Sequence, residues 1–439
     1  MKRLASIISI VWLPLAIVCL NMSSVLAHDQ IPGAKQSRPV VIRGATVHLV
    51  SKPSIENCSV LFEDGKITAV SKEIAVPENA TVIDAAGKHV YPGLIESMSD
   101  IGLREISAVQ ATDDRVEFGE RNPNARSWVA VNPDSELIPV ARAGGVMVAM
   151  TAPRGRWIRG QSAVIALDGW TIGEMALLAP AGLYVDWGAM HPRDVDGKKR
   201  RKLREEKLAV LDTLFDEARR YGEARQSGKN VVPSDVRLES LLPVLSKELP
   251  LIVEADWQYE IESAVAYAQK QSLKLVIYGG YDAEKCAGLL NDYDIPVIIA
   301  STYRLPMRRD DPYDASYTLP VRLHRAGVAF AIGGHGAGSP GGAANARNLP
   351  YHAAVAVAYG LPHEQAIRAI TLSAAEILGV SDRIGSIDVG KDATLIVSDG
   401  DILETESNVT QAFIRGRAVD LGSRHRTLYE KYRRKYQQR

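Results

Sequence analysis

Cysteine, aromatic residues, histidine and net charge are all scarce here: three cysteines in 439 residues, 6% aromatics, nine histidines, and 52 basic residues balanced by 52 acidic ones. Three cysteines far apart, Cys19, Cys58 and Cys286, make neither a disulfide framework nor a zinc cluster by themselves. Cys58 and Cys286 read as small buried apolar residues. The balanced charge leaves no overall field to gather nucleic acid, which argues against a nonspecific polyanion binder. No internal repeat or low-complexity linker divides the chain. The histidines are scattered, so a metal site built from a histidine cluster has no local signature.

What is present begins with Lys2 and Arg3, an apolar run over residues 4–20, and small residues ending at Val25-Leu26-Ala27. That order is a secretory signal over 1–27 with cleavage after Ala27, giving a periplasmic or secreted protein with no stable membrane span. The alternative is an uncleaved anchor, against which Pro14 and the polar stretch 21–24 weigh. Cys19 is not read as a lipidation site, because Ala16-Ile17-Val18 lacks the small residue expected just before such a cysteine.

Residues 40–50 (VVIRGATVHLV) read as a strand pair and 59–70 (SVLFEDGKITAV) as a hairpin turning at Asp64-Gly65, a type I′ signal. A third pair is expected at 81–85 and 89–91, turning through 86–88. Residues 392–398 and 411–421 supply another strand and a hairpin at Arg415-Gly416. One small β-sandwich domain built from both ends, 39–92 and 385–421, accounts for these pieces. Between them, over 93–384, strands and helices alternate: strands at 249–254, 273–278, 296–300 and 328–332, with helices at 260–271, 283–291 and 319–326. Earlier strands fall at 94–98, 146–150 and within 162–167. Short units with one helix each favour an α/β (β/α)8 TIM-like barrel. A charged helix over 198–229 buries Leu203, Leu208, Leu211, Phe215 and Ala218 on one face. A basic C-terminal helix, 422–439, is expected to pack through Tyr429, Tyr432 and Tyr436.

Three features carry a family resemblance. VIDAAGKHVYPGLIES enters the barrel; TLSAAEILGVSDRIGSIDVGKDATLIVSDGD leaves it; and the split β domain frames both. Together they resemble the amidohydrolase superfamily and, within it, the imidazolonepropionase-like branch. The resemblance implies hydrolysis of carbon–nitrogen bonds other than peptide bonds, with one or two divalent, zinc-like metals at the C-terminal mouth of the barrel. A bound ion lowers the pKa of its water, and a carboxylate moves the proton.

The family's ligand positions are substituted. Met98 and Asp100 stand where the first strand carries His-x-His, Glu254 where strand five carries histidine, and Tyr278-Gly279 where strand six carries histidine-glycine. His335, in AIGGHG, lies near the place of the metal-binding aspartate. Asp100, Glu254 and His335 are therefore the candidate catalytic and metal-ligating residues, since two carboxylates and an imidazole suit a divalent ion or acid/base work. Arg304 and Arg308, on the loop after strand seven, are candidates for binding a small-molecule substrate. Residues 336–341 match G-x-G-x-x-G, but Pro340 interrupts the run and no dinucleotide-binding context follows. The expected protein is an exported amidohydrolase-family hydrolase with an atypical or degenerate metal site. The alternative is a catalytically inactive barrel serving as a small-molecule binding or assembly module. Homo-oligomerisation is left open.

Overall fold

The computed structural model describes residues 31–106, 108–192, 195–227, 233–334 and 342–438. The expected signal segment and His335 lie outside them. The first strand, β1 (Val40–Val47), is a single strand and not the expected pair; it runs antiparallel to β2 (Ile55–Glu63), which turns back into β3 (Lys66–Ser71). Asp64 and Gly65 have φ of 49° and 78°, the two left-handed positions that a type I′ turn needs. The next two strands, β4 (Thr81–Asp84) and β5 (His89–Pro92), do not form the expected hairpin. Both lie parallel to β1, one after the other along its length, because the turn between them continues the chain forward.

The barrel follows: β6 (Leu94–Ser99), β7 (Val146–Thr151), β8 (Ile158–Ala166), β9 (Ala176–Asp186), β10 (Leu251–Ala255), β11 (Leu275–Gly279), β12 (Val297–Ile299) and β13 (Phe330–Ile332). They form one eight-stranded sheet in chain order. Strands buried on both faces need no apolar alternation, which is why β7 and β8 read as unbroken buried runs. One strand departs from the all-parallel pattern: β8 is antiparallel to both β7 and β9. Its neighbour β9 is the strand that sequence reading did not place. Pro180 and Gly182 interrupt its apolar run, yet its second half is buried.

The chain returns to the first sheet as β14 (Leu395–Ser398), β15 (Val409–Ile414) and β16 (Arg417–Ala418). Antiparallel pairing of β14 with β5, from Leu395 opposite Pro92 to Ser398 opposite His89, joins the two ends into one sheet. Phe62 and Phe413, one from each end, meet edge to face at 5.1 Å in its core. At the handover from β5 to β6, a Cβ on Gly93 would lie 2.7 Å from the Met147 side chain, so the Pro-Gly step is a steric requirement where the sheets touch.

The helix Gly197–Ser227 buries Leu211, Phe215, Ala218 and Tyr221. The last helix, Arg424–Gln437, corrects an expectation: none of its residues is buried, and Tyr429, Tyr432 and Tyr436 are 62%, 49% and 65% exposed. Cys58 and Cys286 are buried free thiols.

The N-terminal approach is tied to the barrel through charge. Asp168 accepts from the Gly33 N–H at 3.1 Å and pairs with Arg142 at 2.9 Å, both acidic and basic side chains being almost fully buried. Removing one partner of such a pair strands the other charge in low dielectric. Asp168→Ala is expected to lower unfolding free energy by about 3–5 kcal/mol, as measured by urea denaturation; a loss no larger than that of a surface substitution would show that Arg142 is solvated after all.

Candidate active site at the barrel mouth

The C-terminal ends of parallel barrel strands point their last side chains into one mouth. Glu254 lies one residue before the end of β10, where it is register partner of Asp186 on β9 and of Tyr278 on β11. Because β8 runs the other way, it is its beginning that lies at this mouth. The register of β8 against β9 shifts between Ile158 and Gly160, and the intervening Arg159 turns inward. Gly160 permits this with φ of 129° where Ala125 backbone leaves no room for a Cβ.

Arg159 is the centre of the cluster. Its Nη1 donates to Glu254 Oε2, its Nη2 to Asp186 Oδ2 at 2.8 Å, and its Nε to the Gly155 carbonyl at 3.2 Å. The guanidinium also lies 4.6 Å from the centre of the Tyr184 ring. Burial opposes its charge, but Tyr184, Glu254 and Asp186 outweigh that and hold its pKa above the ordinary arginine value. Burial pushes the Tyr184 hydroxyl well above its usual range, so it stays a donor, giving its proton to Glu254 Oε2 at 2.6 Å. Burial likewise raises Asp186, against the pull of Arg159. Glu254 Oε1 has no partner among the described residues, and its side chain is one-third exposed at 33%.

The same pairing repeats around the mouth. Asp100, just past β6, accepts from Arg115 at 3.0 Å and from the Ala343 N–H at 2.9 Å. Asp256 forms a two-pronged pair with Arg304 at 2.8 and 2.6 Å. Asp282 pairs with Arg308, whose second, longer contact is to Asp311 at 3.4 Å. Burial works against the Asp282 charge, yet Arg308 and Lys285 hold its carboxyl below the ordinary range. Arg308 also lies over the Trp257 ring at 4.3 Å.

Asp100 and Glu254 thus both stand at the mouth, each bound to its own arginine and not to each other. Arg304 and Arg308 are held by Asp256 and Asp282. Arg159, Tyr184 and Asp186 were not singled out by sequence. A signal for Asp186 existed, because GLYVDW at 182–187 repeats the pattern of LIVEADW at 251–257, an apolar run ending in an acid near tryptophan.

A profile of the Amidohydrolase family matches residues 317–419. An amidohydrolase from Thermotoga maritima is similar with a TM-score of 0.76 and 27% identity, over 87% of this chain and 99% of that one. These matches support the amidohydrolase superfamily for this chain. Molinate hydrolase shares the fold, with a TM-score of 0.55 and 17% identity over 89% of this chain and 96% of that one. The amidohydrolase tasK of Hapsidospora irregularis is 23% identical over 407 residues, 82% of this chain; the chain spans only 39% of that relative's length.

Members of the family usually bind a divalent metal, and the residues at its place can be tested for fit. Met98 is fully buried in the apolar core, and a thioether suits a hard ion poorly. Gly279 offers no side chain. Asp100 and Glu254 have an arginine on one oxygen each. Among the described residues, no group of three or more His, Cys, Asp and Glu side chains is placed to hold an ion. The described donors do not fit the metal.

Beneath the mouth lies Glu96 on β6, fully buried, accepting from the Gly334 N–H at 2.9 Å. Among the described residues no ladder joins β13 to β6, so this carboxyl links the two strands at the barrel's seam. Burial raises its pKa from 4.5 to about 8, although the Gly334 and Met98 N–H groups pull it back. A raised acid binds its proton in the folded state where the unfolded chain has lost it, so its contribution to stability declines from about pH 4.5 to about pH 8 and is flat above. In Glu96→Gln that part of the decline is expected to vanish from the pH dependence of the urea midpoint. An unchanged slope would mean that Glu96 folds as a carboxylate.

Proposed function

We propose that this chain is an exported amidohydrolase-family protein whose barrel mouth takes a small molecule with a non-peptide carbon–nitrogen bond, in a site where an arginine–carboxylate cluster stands in place of the metal centre. The observation that carries this is Arg159. A guanidinium held by Glu254, Asp186 and the Tyr184 ring brings positive charge to the strand ends where the family keeps its ion. The secretory order of residues 1–27 supports export, and the imidazolonepropionase-like motifs at both ends of the barrel support a cyclic or ureide-like substrate class.

Hydrolysis in this site runs on the chain's own groups. Glu254 Oε1 takes a proton from water as the water oxygen bonds to the carbonyl carbon. Arg159 stabilises the charge that moves onto the carbonyl oxygen. The carbon–nitrogen bond then breaks, and the nitrogen leaves with the proton returned by Glu254. Tyr184, donating to Oε2, orients the carboxyl. A second reading, binding without turnover, draws support from the same contacts, since Glu254 Oε2 is already engaged by a guanidinium and a hydroxyl.

Protein purified without chelator and assayed on cyclic amides, dipeptides and ureides tests the proposal. Turnover is expected to withstand EDTA and to fall about 100-fold or more in Glu254→Gln. Saturable binding without turnover, weakened in Arg159→Met, would select the binding module. Stoichiometric zinc or manganese that leaves together with activity would overturn the replacement of metal by arginine.

A further inference from the structure

The chain as a whole carries no net charge, yet its last helix is strongly basic. Within Arg424–Gln437 six cations face one acid, Glu430, so the remainder of the chain carries a matching acidic excess of five. At about 100° per residue, Leu428, Tyr429, Tyr432 and Tyr436 fall on one stripe about 100° wide. Lys431 and Lys435 flank it on one side, and Arg433 on the other. Cations also reach over the rings: Arg433 lies 5.8 Å from the Tyr429 ring and Lys435 5.8 Å from that of Tyr432.

The helix is tethered at its start. Ser423, itself buried, caps it by accepting from the Arg426 N–H at 3.4 Å, and Arg347 donates to His425 Nδ1 at 2.9 Å. Beyond that tether every residue but Glu430 is exposed. A stripe this exposed buries little of its ring area against the described residues, so it suits a surface outside the chain. The flanking cations state the chemistry of that surface. Tyrosine rings seat at the headgroup level with their hydroxyls in water, and lysines and arginines beside them meet lipid phosphates.

We propose that Arg424–Gln437 is a peripheral docking element that lays its tyrosine stripe on an anionic phospholipid surface. It does not span: among the described residues no helix is long and apolar enough to cross a membrane. The geometry is that of a helix lying in the interface while the barrel remains in water.

Co-sedimentation of the full chain with vesicles of phosphatidylglycerol and phosphatidylcholine, against phosphatidylcholine alone, tests this. Binding that requires the anionic lipid is expected, weakening roughly tenfold or more when salt rises from about 0.1 to about 0.5 M. The triple variant Tyr429→Ser, Tyr432→Ser, Tyr436→Ser and the triple variant Lys431→Gln, Arg433→Gln, Lys435→Gln are each expected to lose the anion-dependent part. Any binding by residues 1–27 persists in these variants and on neutral vesicles, and so is subtracted. The helix buries nothing, so both variants should keep the parent's thermal midpoint. Absence of anion-dependent binding, or binding unchanged in both variants, overturns the proposal. So does a parent dimer that dissociates when the tyrosines are replaced, since a second copy would then cover the stripe.

Discussion

Charge neutrality in a low-dielectric cup is the constraint on which the mouth of this barrel depends. Four carboxylates stand on or just after strand ends, and each has a guanidinium: Asp100 with Arg115, Glu254 with Arg159, Asp256 with Arg304, Asp282 with Arg308. Bidentate or shared geometry makes these pairs stronger than surface ion pairs, because arginine presents a planar fork that fits a carboxylate. A divalent ion would meet the same carboxylates with more charge, but it needs their lone pairs free and needs neutral nitrogen donors beside them. Here an arginine holds one oxygen of Asp100 and one of Glu254, and the nitrogen positions carry Met98 and Gly279. An arginine on a carboxylate oxygen is one solution to buried acidity, and an ion on the same oxygen is the other.

The antiparallel strand is what makes the arginine solution available. In an all-parallel barrel a residue at the start of a strand lies at the opposite end from the mouth. Reversing β8 brings its first residues to the mouth, and the irregular pairing around Gly160 turns Arg159 inward toward β9 and β10. A single topological change thus exchanges the end of a strand for its beginning. At the seam, where β13 and β6 share no ladder among the described residues, the Glu96 carboxyl accepts from Gly334 and holds the two strands together. Both devices put an ionisable group where backbone pairing is irregular.

How much of this was legible in the sequence follows from what each signal depends on. Strand β7 and strands β10 to β13 were readable because short apolar runs alternated with amphipathic helices, and the two-ended sheet was readable because its hairpins turn at Asp64-Gly65 and Arg415-Gly416, where local chemistry dictates positive φ. The pairing of β4 and β5 was not, since a glycine turn between two strands does not say whether they meet each other or a third. Strand β9 was hidden by Pro180 and Gly182. With it were hidden Tyr184 and Asp186, and Arg159 sat just before the run from which β8 was read. Asp100 and Glu254 were placed at the mouth by position alone. Their partners come from residues 15 and 95 positions away in the chain, and no spacing rule announces such contacts.

The same reasoning about matched charge separates the interior of the molecule from its last helix. Where an arginine is buried, a carboxylate has been brought to it, as at Arg142 and Arg159. Along Arg424–Gln437 the structure supplies one acid for six cations and leaves the tyrosines in water. Solvent screens exposed charge, so the fold tolerates this imbalance without strain. Tolerance explains why the helix does not disrupt the protein, but it does not explain the segregation of aromatic and basic residues on one helix. Segregation lowers free energy only when an apolar, negatively charged surface lies against it, and among the described residues none is buried against this stripe.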